Sequence, residues 1–297
     1  MTSSLTCANC GSTGTTPIIV KFGELIGRCR NCGLIYADPR IPAEAILARY
    51  SAQYFWNEYL PANSAKGGVF DLNYFDRRYA AMLKLIETSV GAPGKMLEVG
   101  TGAGFFLKAA QRAGWQVQGI EISDEAIAFA RNRLGLEVAQ LPAEQLGSLA
   151  DSFDVVVMFE VIEHLFEPRL VLEAVQHLLR PGGALVISTP NFDALSRFAL
   201  GNSWAVLSPG EHLYYFTHKT LAALLVGCGF TSIQFHDNYA GWGLYETMNP
   251  RYTHAPDSLR TRLYSSFVAS IGGFMYRRVL AAGRGDTLLC TAHNKNM

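Results

Sequence analysis

From Lys95 onward, short apolar runs alternate with amphipathic stretches in a regular order. Apolar or alternating runs at Met96–Val99, Gln116–Ile120, Leu136–Val138, Phe153–Phe159, Ala184–Ser188, Thr231–Phe235 and Thr287–Thr291 predict strands. Helical spacing near Phe105–Ala113, Asp124–Leu134, Pro168–Leu179 and Lys219–Cys228 places helices between most of them. This order predicts a doubly wound α/β domain over residues 95–297, a seven-stranded and mostly parallel sheet with helices on both faces.

The text upstream is different. Residues 41–94 read as a helical linker or lid rich in aromatics, broken between Pro61 and Gly68, in which Tyr79, Met82, Leu83 and Ile86 recur at the spacing of one buried helix face. The stretch from Pro17 to Arg30 alternates like a hairpin, so residues 1–40 form a small module. A unit of that size needs a staple to fold. Cys7 and Cys10 form one C-x-x-C pair and Cys29 and Cys32 another, with 18 residues between the pairs, the spacing of paired zinc knuckles. Gly11 and Gly33 follow the pairs and let the backbone turn under a metal. Four thiolates close a tetrahedral structural site; two reduced pairs without metal, or a redox pair, are the alternatives.

Composition narrows the function. The 25 basic and 25 acidic residues cancel, so the broad positive field that nucleic-acid binding requires is missing. The start of the chain has no basic-then-apolar leader, and no run approaches the ~18 apolar residues of a membrane span, which leads to the expectation of a cytoplasmic protein. With 49% hydrophobic residues, one full core and a satellite are affordable.

The first strand of the large domain ends in Glu98-Val99-Gly100-Thr101-Gly102-Ala103-Gly104 and leads into a helix, a place where glycines let a nucleotide-like ligand approach the backbone. Glu121 ends the second strand, where a carboxylate can accept both hydroxyl hydrogens of a ribose. The third glycine comes one place too early for the fingerprint of nicotinamide dinucleotide binders. Taken with EVGTGAG, GIEIS, FDVVVMFEVIEH and LLRPGGALVISTPN, the chain resembles the class I S-adenosylmethionine (SAM)-dependent methyltransferases over roughly residues 95 to 292. That resemblance implies an antiparallel last strand inserted beside the fifth. It also implies SAM as cofactor: Glu98, Gly100, Thr101, Gly102 and Gly104 around its methionine part, Glu121 and Ile122 at the ribose, Ala143 and Glu144 at the adenine edge, and Glu160 with Val161 as the opposite wall.

Methyl transfer from a sulfonium needs a nucleophile placed in line and a base where that nucleophile carries a proton. Two Glu-His pairs lie near the expected site edge, Glu163-His164 and Glu211-His212. The segment PGEHLYYF, within an insertion over residues 190–218, resembles the Glu-His stretch of zinc-bearing methyltransferases that act on nucleotide-linked sugars, which implies His212 as base with Glu211 in support and the aromatic run beside it as acceptor wall. No counterpart of the larger C-terminal domain of those enzymes is expected from these residues. Glu160, Glu163 and His164 resemble instead the Glu, Glu, His set of ubiquinone-type O-methyltransferases, where a divalent ion can sit near the acceptor oxygen; His164 is then the second candidate base, and structural support of the following helix is the plainer alternative.

Residues 250–282 carry a C-terminal helical pattern with apolar and basic positions (Leu259, Leu263, Phe267, Ile271 and Met275 against Arg260, Arg262, Arg277 and Arg278), suited to packing on the domain, capping the acceptor pocket or making peripheral membrane contact. The expected function is methyl transfer to a small-molecule acceptor: a sugar, a quinone- or polyketide-like ring, or a lipid intermediate. The competing reading is a SAM-fold binding or scaffold protein that has lost transfer activity.

Overall fold

The structure is a computed structural model, and it describes residues 6–37, 51–64, 71–150, 152–236, 259, 262–263, 266 and 278–295. The N-terminal hairpin is β1 (Thr15–Lys21) and β2 (Glu24–Cys29), antiparallel, joined by Phe22 and Gly23 at φ 55° and 81°. Positive φ at both central positions is the two-residue turn whose twist matches the strands it joins. A third strand, β3 (Ile35–Ala37), pairs with β2.

Residues Ala52–Asn63 are helical, with the π-helical turn Phe55–Tyr59 in their middle. Helix α1 (Leu72–Val90) starts on Asp71, whose carboxylate accepts from the Asn73 amide, and stops at Gly91 with φ 91°. Met82, Leu83 and Ile86 lie on its buried face, as the spacing predicts, packed with Phe106, Ala110, Trp115 and Val155. Burial of such a side chain stabilises by about 1.5–3 kcal/mol.

The large domain runs β4 (Lys95–Val99), α2 (Phe105–Arg112), β5 (Gln116–Glu121), α3 (Asp124–Leu134), β6 (Val138–Gln140), β7 (Phe153–Phe159), α4 (Pro168–Leu178), β8 (Leu179–Pro190), α5 (Leu195–Leu200), β9 (Tyr214–Tyr215), α6 (His218–Gly227), β10 (Phe230–Phe235) and β11 (Thr287–Asn294). Seven of these strands form one sheet in the order β10-β11-β8-β7-β4-β5-β6. The pairs from β6 through β8 are parallel, whereas β11 is antiparallel to both neighbours and lies beside β8, the fifth strand of this sheet in chain order. The seven-stranded expectation holds, including the inserted antiparallel strand. Several boundaries moved: β8 starts at Leu179 and ends at Pro190, β11 runs on to Asn294, and β6 begins at Val138, because Leu136 turns inward against Ala130 and Leu134 under the glycine loop.

The second sheet was not foreseen. Its order is β1-β2-β3-β9, so the insertion of the large domain supplies the fourth strand of the N-terminal module, with Ile35 opposite Tyr215 and Tyr36 opposite Tyr214. Arg169 of α4 adds a second tie, donating to the carbonyls of Ala8 and Asn9 at 3.1 and 2.9 Å. Most of the C-terminal pattern at 250–282 lies outside the described residues, as do positions 41–50 and 65–70 of the linker; of the C-terminal apolar positions, Leu259 and Leu263 are described and exposed. Among the described residues no helix is long and apolar enough to cross a membrane.

Candidate functional site

The carboxyl ends of β4, β5 and β7 meet at one edge of the sheet, since β4 pairs with both of the others. Gly100, Gly102 and Gly104 have φ 72°, 54° and 83°, which L side chains rarely adopt, and they bend the chain off β4 into α2. The loop is fixed from behind. The amides of Gly100 and Thr101 donate to the Ile120 carbonyl at 2.9 and 3.1 Å, and the Thr101 hydroxyl donates to the carbonyls of Glu98 and Ile120. On the opposite side Val161 closes in, its Cγ2 lying 2.6 Å from where a Cβ on Gly100 would stand.

Two carboxylates frame this cradle. Glu121 is buried; its Oε2 accepts from the Gly102 amide at 2.8 Å, and its Oε1 from the amides of Ile122 and Ser123 at 2.8 and 3.0 Å. Those amides hold the carboxylate still, and acceptor capacity remains for hydroxyl donors. Glu98 is 4% exposed, and its Oε2 has no hydrogen-bond partner. Burial, then the nearby Glu121 charge, pushes the Glu98 carboxyl well above the usual carboxylate range. A buried oxygen left unsatisfied costs about 1–3 kcal/mol, so it calls for a cationic or hydrogen-bonding ligand. The ammonium of SAM's methionine part has that character, and the glycine cradle has the open backbone such a ligand needs. The residues present therefore fit SAM.

Tyr59 completes the cradle and was not singled out from sequence. Its hydroxyl accepts from the Ala103 amide at 3.3 Å and would stand 1.9 Å from a Cβ on Gly102, while its ring stacks on Phe55 at 5.7 Å. Its signal in the sequence was an aromatic run, which marks a core as readily as a lid. Glu144, expected at the adenine edge with Ala143, lies in the 3₁₀ turn Ala143–Ser148 after β6 and accepts from the Phe166 amide at 3.3 Å.

The second half of the site follows β7. Glu160 sits at φ 54°, rare for a residue with a side chain, and its Oε1 accepts from the Ser188 hydroxyl at 2.8 Å. Burial, then Glu163, pushes its carboxyl up to about 8. Glu163 is 1% exposed; Oε2 accepts from the Thr189 hydroxyl at 2.9 Å, and Oε1 has no hydrogen-bond partner but lies 3.8 Å from His164 Nε2. Burial raises that carboxyl to about 7. Ser188 and Thr189, like Tyr59, came into the site through the fold alone.

His212 arrives from the insertion, its ring centroid 4.7 Å from that of His164. His164 Nδ1 bonds the Glu211 carbonyl at 2.8 Å and His212 Nδ1 the Val206 carbonyl at 2.9 Å. A carbonyl can only accept, so each Nδ1 carries the proton and each Nε2 keeps a lone pair. Burial, then the neighbouring His164, pushes His212 down to about 3, and burial also lowers His164. The expected support of His212 by Glu211 takes another form: the Glu211 carboxylate accepts from Ser208 at 3.2 Å, and the residue's contribution is its carbonyl to His164. Of the aromatic run expected to wall the acceptor, Tyr215 has its ring 6.3 Å from that of His212. Tyr214, Tyr215 and Phe216 are all buried, with Tyr214 packed near Tyr36 and Tyr215 near Phe192.

The four cysteines converge independently of this edge. Cys7 Sγ and Cys32 Sγ are 3.4 Å apart, Cys10 Sγ and Cys29 Sγ 3.6 Å, and all four sulfurs lie within 4.8 Å of one another. Zinc–sulfur bonds of about 2.3 Å in a tetrahedron put neighbouring sulfurs about 3.8 Å apart, so the set fits a closed metal site. The two knuckles match: Gly11 and Gly33, at φ 68° and 82°, donate to the carbonyls of Cys7 and Cys29.

Comparison with known proteins agrees with this geometry. The family profile described as "Methyltransferase domain" matches residues 72–234. The ubiquinone biosynthesis O-methyltransferase of Acinetobacter baumannii is 30% identical over 155 residues, covering 50% of this chain and 60% of that protein. Its namesake from Sinorhizobium medicae is 28% identical over 174 residues, 53% of this chain and 70% of the relative. Among solved structures, the magnesium protoporphyrin IX methyltransferase of Synechocystis, solved with bound SAH, aligns with a TM-score of 0.54 at 14% identity over 86% of this chain and 100% of its own, a likeness of fold. With the profile matched over more than half its length and the antiparallel strand inserted beside β8, the chain belongs to the methyltransferase-domain family of class I SAM-dependent methyltransferases.

Proposed function

We propose that the protein transfers the methyl group of SAM to a small-molecule acceptor, and that it works in the cytoplasm with one structural zinc in its N-terminal module. The observation that carries the reading is a single sheet edge holding a glycine cradle, with the unsatisfied Glu98 and the amide-held Glu121, next to the polar set Glu163, His164 and His212. Bound SAM supplies a methyl on a sulfonium: the acceptor lone pair forms the new bond to carbon, the S–CH₃ electrons return to sulfur, and the acceptor's proton leaves to solvent. The chain's own work is placement. Glu98 meets the positive charge of the methionine part, Glu121 the ribose hydroxyls, and Tyr59 shields the loop from water. Glu163, His164 and His212 receive the polar group of the acceptor. Kinship with ubiquinone O-methyltransferases supports an oxygen acceptor on a ring.

Glu121→Ala is expected to weaken SAM binding by about 1.5–3 kcal/mol, the range for hydrogen bonds to a charged group. Calorimetry reads this directly; unchanged affinity would move the ribose elsewhere.

Zinc in the module is supported by the sulfur geometry and by six free cysteines, which suit a reducing compartment. Cys7, Cys10, Cys29 and Cys32 would hold it with no open position, so its contribution is folding stability. Protein exchanged against a mild chelator should retain one zinc per chain by elemental analysis, and Cys29→Ser should lose it. Zinc content that does not change in Cys29→Ser would remove the site.

A further inference from the structure

The backbone that carries His212 has little structure of its own. Residues 204–213 contain no helix or strand, and β9, which follows, is two residues long, too short to be stable alone. We propose that the N-terminal module positions the acceptor half of the site: β3, through the link from Ala37 to Leu213, places His212 and Glu163, and the metal of the four-cysteine site holds β3 in that position. The inference rests on the readings above that the acceptor meets Glu163, His164 and His212 and that zinc occupies the module.

The loop around His212 is tied on two sides. Toward the module, the Leu213 carbonyl accepts from the Ala37 amide at 3.0 Å, and Tyr214 and Tyr215 pair with Tyr36 and Ile35. Lys21 Nζ donates to the Trp204 carbonyl at 2.8 Å, and Ile19 and Val206 pack on one cluster with Ile26, Ile35 and Tyr215. Val206 carries the carbonyl that receives the Nδ1–H of His212, so the module also backs the group that fixes this imidazole. Toward the sheet edge, the Leu213 amide donates to the Glu163 carbonyl at 2.8 Å, and the Glu211 carbonyl accepts from His164 Nδ1 at 2.8 Å. Leu213, the residue after His212, thus bridges β3 and Glu163 through its own peptide groups.

The link runs back to the cysteines within a few residues. Cys29 ends β2 and, with Cys32, brackets the turn that leads into β3; the Cys29 amide donates to the Leu34 carbonyl at 2.8 Å and the Gly33 amide to the Cys29 carbonyl at 3.1 Å. The other knuckle is anchored on the large domain. Arg169 of α4 donates to the carbonyls of Ala8 and Asn9, and the Asn9 side chain donates to the Thr220 carbonyl of α6 at 2.9 Å. A metal bound by all four thiolates joins the anchored knuckle to the one that starts β3, and a module of this size depends on such a staple. The cofactor half has other supports: the Ile120 carbonyl behind Gly100 and Thr101, and the three amides around Glu121. Loss of the metal therefore frees the His212 loop and leaves the glycine cradle standing. The chain then binds SAM without placing an acceptor, so metal occupancy governs turnover and not cofactor binding.

The test follows the ring N–H protons of His164 and His212 by NMR on the zinc-loaded full chain, with the signals assigned from His164→Gln and His212→Gln, and SAM affinity by calorimetry on the same samples. Stripping the zinc with a strong chelator should speed exchange of both protons with water at least about tenfold, the change expected when one hydrogen-bonded tie of the loop is lost, while SAM affinity changes less than about twofold. Adding zinc alone should restore the slow exchange. Ala37→Pro, which deletes the donor to Leu213, should give the same faster exchange with zinc still bound. Slow exchange that survives zinc removal overturns the proposal even if the variant fails to fold. SAM affinity that falls in step with the faster exchange does the same, since that is the mark of a module that merely holds the whole domain together. The underlying readings fail separately: a chain that carries no zinc sinks the zinc reading and with it the metal's part in the proposal, whereas absence of SAM binding in the zinc-loaded wild type sinks the methyltransfer reading and leaves the positioning intact.

Discussion

Gly102→Val should reduce SAM affinity by on the order of 100-fold or more, equivalent to about 2.7 kcal/mol, in calorimetry on the purified chain. Two independent costs fall on this substitution. Gly102 sits at φ 54°, a conformation that a β-branched residue adopts only under strain. Its new Cβ would also stand 1.9 Å from the Tyr59 hydroxyl and 2.6 Å from Tyr59 Cζ. Tyr59 cannot simply swing aside, because its ring stacks on Phe55 and its hydroxyl accepts the Ala103 amide. Either the loop or the aromatic cover must move, and both border the ligand. Gly102→Ala meets the same Cβ clash without the branching, so it should bind SAM better than the valine variant. Wild-type affinity in Gly102→Val would show that the cradle is not the SAM site.

The second large effect is expected at His212. His212→Ala should lower turnover by on the order of 10²-fold while SAM affinity stays nearly constant, the signature of a group that positions the acceptor. The imidazole pushed down to about 3 is neutral at any ordinary assay pH, so its Nε2 lone pair is available throughout. Glu211→Gln should cost far less, because the contact that orients the neighbouring His164 comes from the Glu211 carbonyl, which the substitution leaves in place. Single-turnover kinetics with an accepted substrate checks both. Full turnover in His212→Ala would remove this residue from the acceptor site.

What could be read from the chain was what is local. The strand-turn-helix at Glu98–Gly104 carries its own instructions, since each glycine stands where the backbone takes a positive φ, and Glu121 followed from its place at the end of the next strand. The helix Asp124–Leu134 was legible from its spacing; the structure adds that Ser123 accepts from the Ala126 amide and that Gly135 ends it at φ 62°. What could not be read depends on contacts between distant residues. Tyr214 and Tyr215 look like a pocket wall in sequence, yet they pair with Tyr36 and Ile35 across about 180 residues and are buried by that pairing. A two-residue strand has no periodicity to betray it. Glu160 could not be oriented from sequence, because its backbone turns to φ 54° at the end of β7 and its side chain accepts from Ser188. Tyr59 lies 44 residues before the amide it caps, in a run of aromatics that reads equally well as core.

The most direct test of the account is a structure of the full chain with S-adenosylhomocysteine bound. The account predicts the ribose hydroxyls on Glu121, the amino group at Glu98, and the sulfur facing the space bounded by Glu163, His164 and His212. A ligand bound away from the Gly100–Gly104 loop, or one whose sulfur faces away from those three residues, would contradict it.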